Sequence, residues 1–385
     1  MIAERERDEA AEARRRDPEH QLHVLRTELQ TAIEIEHTTI PPYLTAILSL
    51  PEQVNREVQQ IVRGVVMQEM LHMTLAANVL NAVGGHPSID DPAFVPGYPT
   101  NLPWHAPGFS VSLARFSRDQ IGVFREIERP EYDPGLKARL ERVHPERLDL
   151  ATVEAEVAEH APHAHGYETI GEFYAAVIER LLWVVARLGP ERVFTGPRSL
   201  QVGPDHYYGG CGEVIVVTDR RSAVKALHTI VTQGEGTPES IWNGDHEEAT
   251  PLTPAHFYSF DEIERQRLYR KGDVAGSPTG APLPVAWDAA YPMRANPKRE
   301  EYKEYPQIFE AMHEFDRTYF SMLRTLHVAY NGQPDALRRA VAQMYELRWR
   351  AVDLMRTPDP LHPGQTLGPS WGSLPGGHRP KLAGW

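Results

Sequence analysis

The sequence predicts a mainly α-helical protein built on a four-helix bundle, and three observations predict it. Apolar residues recur every three or four positions over long stretches. Gly and Pro fall between those stretches and mark their ends. Most telling, carboxylate and imidazole side chains sit on the apolar stripes themselves, where an ionisable group is costly unless it is paired or bound to a metal.

The first helix is expected from about Gln21 to Leu50, with the stripe Leu25, Leu29, Ala32, Glu36, Ile40, Tyr43, Ile47. Pro41-Pro42 predicts a kink or break just past Glu36. A short turn around Pro51 makes the second helix its antiparallel neighbour. Between Val54 and Gly84 the apolar positions include Val58, Val62, Val65, Ala76, Val79 and Val83. Stepping by three or four from Val65 lands on Glu69, then His72, then Ala76. Gly84-Gly85-His86-Pro87 ends that helix. A third helix opens at Thr169 and runs to about Leu188, and a fourth runs from about Asp219 to Gln233, stopping at Gly234-Glu235-Gly236-Thr237-Pro238.

The remaining chain divides by composition. Residues 1–20 are a charged arm, 21–265 the metal-binding domain with an irregular Pro-rich insertion at 88–165, and 266–300 a Pro/Gly-rich linker. Helical patterning returns over 301–357, and 358–385 read as an extended tail. Pieces with short-range pattern inside the insertion are Phe109–Leu113, Ser117–Ile127 and Asp149–Ala158.

Composition excludes several classes. A net charge of −13 disfavours nucleic acid or an anionic membrane as partner. The one cysteine, Cys211, rules out an intrachain disulfide and suggests a reducing compartment. No apolar run reaches the roughly 20 residues of a membrane span, and Met1 to Pro18 has no signal-peptide core, so a cytoplasmic location is expected. There is no Gly-x-x-x-x-Gly-Lys-Ser/Thr loop, and Gly209-Gly210-Cys211-Gly212 reads as a turn. The expected partner is a small molecule, with a homo-oligomer left open.

The candidate metal ligands follow from the stripes. A two-metal carboxylate site takes one Glu from each of two helices and a Glu-x-x-His from each of the other two. Helix one supplies Glu36, since Glu34 lies on a solvated face; helix two supplies Glu69 and His72. Helix three offers Glu172 and Glu179, and Glu172 also reads as half of a capping box with Thr169. Helix four offers Glu235, in line with Val224, Leu227 and Val231. If helices three and four are antiparallel, Glu172 shares a level with Glu235, while Glu179 sits about 10 Å away at 1.5 Å per residue. Pro238 stands where a second Glu-x-x-His would end, so the second histidine must come from further on: His256, among aromatic neighbours, or the more solvated His246. Glu141/His144, Glu310/His313 and the cluster Glu159, His160, His163, His165 read as chance matches to motifs this short.

Five segments in order carry a resemblance: Thr38-Thr-Ile-Pro-Pro-Tyr-Leu44, Gln68-Glu-Met-Leu-His-Met73, Asn81-Ala-Val-Gly-Gly85, Thr169-Ile-Gly-Glu-Phe-Tyr174 and Gln233-Gly-Glu-Gly236. Over about residues 21–265 the chain resembles the ferritin-like domain of the iminophenyl-pyruvate dimer synthase type, which also occurs in the violacein-pathway enzyme that couples two tryptophan-derived imines. The resemblance implies a ferritin-like four-helix bundle with a long crossover insertion, and a place in bacterial secondary metabolism. It implies two bound iron ions, manganese being the alternative, with O₂ as co-substrate. It also supports Glu36, Glu69, His72, Glu172, Glu235 and His256 as the ligand set. In that scheme Glu36 and Glu172 are terminal, Glu69 and Glu235 bridge, and the two histidines supply nitrogen. Tyr43 reads either as packing or as a redox neighbour of Glu36. The expected activity is O₂-dependent oxidation of an amino-acid-derived or other natural-product intermediate. An iron-handling protein and a metal-free scaffold are the rivals.

Overall fold

The computed structural model describes residues 14, 16–102, 109–130, 167, 169–207, 212–236, 240–243 and 253–372. Cys211, His246, Asp149–Ala158, Glu141/His144 and the Glu159–His165 cluster lie outside the described residues. Within them the structure is helical, and extended pairing is limited to isolated bridges such as Thr100 with Val111.

Four helices form the bundle: α1 (Pro18–Leu48), α2 (Arg56–Ala82), α4 (Ile170–Leu188) and α5 (Arg220–Glu235). The short helix α3 (Arg118–Ile127) precedes α4 in the chain. Each bundle helix touches two others, in the cyclic order α1, α2, α5, α4, which closes the bundle around one core. Their starts are set locally. Asp17 caps α1, Thr169 accepts the Glu172 N–H at the start of α4, and Asp219 and Ser222 cap α5 reciprocally. The antiparallel run of α1 and α4 shows in two cross-links: Arg180 meets Glu28 while Tyr174 meets Glu36.

Helix α1 runs through Pro41 and Pro42 without the break that was one of the two outcomes expected there, a kink being the other. A proline at 42 leaves the Thr38 carbonyl without its helical donor. The Tyr98 hydroxyl donates to that carbonyl at 2.7 Å and replaces the missing bond.

Among the described residues, further helices of ten residues or more decorate the bundle. Helix α6 (His256–Arg265) packs against α2, α3 and α5. Helices α7 (Pro306–Tyr330) and α8 (Leu337–Arg356) pair with each other and lie on the outer face of α1 and α2. After α8 the described chain runs without a helix to residue 372, where it is pinned. Trp371 donates from Nε1 to Thr45 Oγ1 at 2.8 Å and sets its ring edge-on to Phe315 and Tyr319. The connection between α4 and α5 is clipped to α2 by Asn78, whose amide bonds the Val202 and Ile215 carbonyls.

Candidate metal centre

The interior of the bundle holds charge that an apolar core cannot tolerate alone. Glu36, Glu69, His72, Glu128 and His256 are each less than 5% exposed. They form two groups, Glu36–Glu69–His72 and Glu69–Glu128–His256, within each of which one ligand atom per residue lies within 4.8 Å of the others. Glu69 belongs to both. Its Oε1 lies 3.0 Å from His256 Nδ1, and its Oε2 lies 3.9 Å from His72 Nδ1. The carboxylate thus presents one oxygen to each half.

Each half is built the same way from different elements. In the first, His72 Nδ1 lies 3.0 Å from Glu36 Oε2, and the Tyr174 hydroxyl donates to Glu36 Oε1 at 2.5 Å. In the second, His256 Nδ1 lies 3.5 Å from Glu128 Oε2, and the Tyr43 hydroxyl donates to Glu128 Oε1 at 2.5 Å. The far nitrogen of each ring is held by an amide. His72 Nε2 meets Gln233 Oε1 at 2.8 Å, and His256 Nε2 meets Gln68 Oε1 at 3.1 Å. A carbonyl oxygen can only accept, so both Nε2 atoms carry hydrogen, and each ring when neutral turns its Nδ1 lone pair toward carboxylates.

That arrangement calls for a cation. A lone pair facing carboxylate oxygens is repulsive unless positive charge lies between them. His256 Nδ1 is buried and makes no hydrogen bond, despite carboxylate oxygens at 3.0 and 3.5 Å. Carboxylate oxygens with imidazole nitrogen, in two groups sharing one carboxylate, are the donor chemistry of a two-metal site. The residues therefore fit such a group.

The electrostatics agree. Burial, then the Glu128 and Glu36 carboxylates, push the Glu69 pKa well above 4.5. Burial acts on Glu36 in the same sense, but the adjacent His72 imidazole and bonds from Glu69 and Tyr174 outweigh it and hold Glu36 low. Burial and the adjacent carboxylates raise Tyr43 and Tyr174 well above 10, which keeps both as protonated donors.

Packing explains how a short helix outside the bundle reaches in. Tyr43 on α1 sets its ring edge-on to Phe124 of α3 at 4.5 Å and to Phe260 of α6 at 5.2 Å. Arg125 of α3 also ion-pairs with Asp261 of α6 at 3.1 Å. These contacts lock α3 to α6, and they bring Glu128 and His256 to the same spot from opposite ends of their helices. Behind the site, the Arg180 guanidinium donates to both oxygens of Glu28 at 2.7 and 2.8 Å.

Of the residues expected from sequence, Glu36, Glu69, His72 and His256 come together, with Tyr43 one hydrogen bond away through Glu128. Glu172, Glu179 and Glu235 stand outside both groups. Glu172 and Glu235 do share a level, as the antiparallel argument requires: Glu235 Oε1 accepts the N–H of Gly171 at 2.6 Å. Its carboxylate thus caps the positive end of α4. Glu34, expected in solvent, is half-buried, and burial raises its pKa. Glu310 is exposed and His313 bonds Arg299, consistent with a chance motif. Glu128 was not foreseen, and its local sequence of alternating charges gives no signal for burial.

Comparison with known proteins follows the same lines. A family model described as Ferritin-like matches residues 29–265. The dichlorochromopyrrolate synthase of Lentzea aerocolonigenes is 26% identical over 337 residues, which cover 80% of this chain but 29% of that relative's length. The chain thus spans less than a third of that relative. The crystal structure of a ferritin-like protein from Caulobacter vibrioides superposes with a TM-score of 0.54 at 21% identity, covering 90% of this chain and 97% of that one. That likeness concerns the fold alone. No helix among the described residues is long and apolar enough to cross a membrane.

Proposed function

The chain belongs to the ferritin-like family, and we propose that it is an oxidoreductase whose two-metal centre uses O₂ to transform a small biosynthetic intermediate. The observation that carries this reading is the pair of buried donor groups sharing Glu69. One iron, or manganese, would be held by Glu36, Glu69 and His72, the other by Glu69, Glu128 and His256. Glu172 and Glu235 stay outside this set in our reading, because Glu235 is engaged with the Gly171 N–H. A synthase as distant relative supports a biosynthetic role, and an amino-acid-derived substrate is the class we propose.

When bound, two redox-active ions would supply the electrons that reduce O₂ and the oxidising power turned on the substrate. The protein's own groups do the rest. Gln68 and Gln233 fix both imidazoles in the tautomer that offers Nδ1 inward. Tyr43 and Tyr174 donate to the two outer carboxylates and hold one oxygen of each away from the centre. Phe124 and Phe260 pack over Tyr43 and exclude water from that side. The α7–α8 pair, covering the outer face of α1 and α2, weighs against the compact subunit that a storage shell needs.

The test is to reconstitute the protein with Fe(II) without oxygen, desalt it, and measure iron per chain and O₂ uptake. About two irons per chain, oxidised on admission of O₂, are expected for a site of this class. No retained iron would sink the metal reading. Two irons left as Fe(II) in air would sink the oxidase.

A further inference from the structure

Around the α1–α2 pair from the carboxylates, these helices and α7–α8 enclose a second cavity of about 440 Å³, which is of ligand-binding size. It shares helices with the metal centre but none of its five donor residues: Ile40 stands one turn from Glu36, and Met73 one turn from Glu69. Nothing in it depends on bound metal.

Its two ends differ chemically. At the inner end the polar side chains bond one another. His37 Nε2 lies 2.7 Å from the Tyr319 hydroxyl, and Thr74 bonds Tyr330 at 2.9 Å. The walls are apolar and include five of the nine methionines, a lining that can re-pack around a flexible guest. At the mouth stand Arg63 and Arg348, with Arg56 beside them in the adjoining surface depression. Arg348 makes a long ion pair to Glu52 at 3.6 Å and lies 5.8 Å from the Trp349 ring centroid, and Arg63 is exposed with no ion pair or hydrogen bond among the described residues. In a chain of net charge −13, arginines gathered at the entrance of an apolar cavity run against the overall trend.

Shape narrows the guest. The lining runs along α1 from His37 to Leu48 and, antiparallel, along α2 from Thr74 to Arg63. Each stretch is about 16 Å long at 1.5 Å per residue. The space is therefore elongated, with its cationic groups at one end. We propose that this cavity binds an unbranched acyl carboxylate, its chain lying along α1 and α2 and its carboxylate held between Arg63 and Arg348. Guanidinium groups suit that head, because their planar fork pairs with both carboxylate oxygens.

The test titrates decanoate, decanol and naphthoate into the full-length protein, metal-free and metal-loaded, by calorimetry. Saturable one-to-one binding of decanoate is expected in both forms. The double variant Arg63→Gln/Arg348→Gln should weaken decanoate about tenfold or more while leaving decanol within about twofold. Leu44→Trp, which fills the wall, should abolish binding of both; circular dichroism confirms its fold, and the surface Arg variant stands if it fails. The proposal is overturned by absent or non-saturable decanoate binding, by equal loss of decanol in the Arg variant, or by decanoate binding that survives in a folded Leu44→Trp. Tighter binding of naphthoate than of decanoate would overturn the acyl assignment.

Discussion

Metal-free protein should lose stability as the pH rises from mildly acid to neutral, and Glu69 should be a main cause. Glu69 is 2% exposed, so solvent screening takes little from its interactions. Burial and the Glu128 and Glu36 carboxylates raise its pKa well above 4.5. In the unfolded chain it ionises near the ordinary value. Between the two values the folded state holds a proton that the unfolded state has released. Its contribution is therefore complete below about pH 4.5 and is lost as the pH climbs toward the folded pKa, at about 1.4 kcal/mol per pH unit for one proton. Glu36, shifted the other way, titrates below this window. Asp316 and Glu262, both pushed by burial to about 7, add slopes of the same sign, so Glu69 must be isolated by difference.

The assay is urea denaturation of metal-free wild type and Glu69→Gln at several values between about pH 5 and pH 7. Gln has the shape of the protonated acid and does not titrate. Wild type should lose stability more steeply than the variant as the pH rises, by up to about 1.4 kcal/mol per pH unit. Adding Mn(II) should cancel the loss in wild type only, since the ions take the place of the proton. Parallel pH curves for the two proteins would refute the reasoning, and so would equal stabilisation of both by Mn(II).

Three more outcomes follow from the same geometry. Arg180→Leu strands the Glu28 carboxylate, itself 2% exposed, and should cost about 3–5 kcal/mol in urea denaturation, most of it recovered by adding Glu28→Leu; a loss below about 1 kcal/mol would show the pair to be idle. Glu128→Gln should reduce retained iron from about two per chain to about one by elemental analysis, and two retained irons would remove Glu128 from the donor set. Gln233→Leu frees His72 Nε2 from its acceptor and should weaken metal affinity about 10–100-fold in chelator competition; unchanged affinity would mean that the amide does not orient the ring.

The legible part of the site is the part that a helical period can report. Glu36, Glu69 and His72 lie on stripes whose other members are apolar, so their burial follows from spacing and their cost follows from burial. Those three residues also carry most of the argument for the bundle. His256 was reachable only through its neighbours, since Pro238 forbids the regular spacing and no local pattern says that α6 docks against α2. Glu128 illustrates the limit. Glu126 and Glu128 are two positions apart in a run of charges, yet the Glu126 side chain is 43% exposed while Glu128 is 4% exposed as a residue. What separates them is the docking of α3 on Tyr43 and Phe260, a contact across distant stretches of chain that no window of sequence contains.

Glu235 shows a different limit, in which the position is readable and the partner is not. Its stripe and the antiparallel arrangement place it level with the start of α4, and there it lies. Spacing treats that level as a place for a metal, but a helix start carries its own unsatisfied N–H groups, which compete for a carboxylate. The residue that discloses the competition is Gly171. A Cβ at that position would sit 2.5 Å from Glu235 Oε2, so a side chain there would push the carboxylate off the position it now takes against the backbone. In Thr169-Ile-Gly-Glu172 the glutamate draws attention because it is charged, while the glycine beside it records what the approaching carboxylate actually binds.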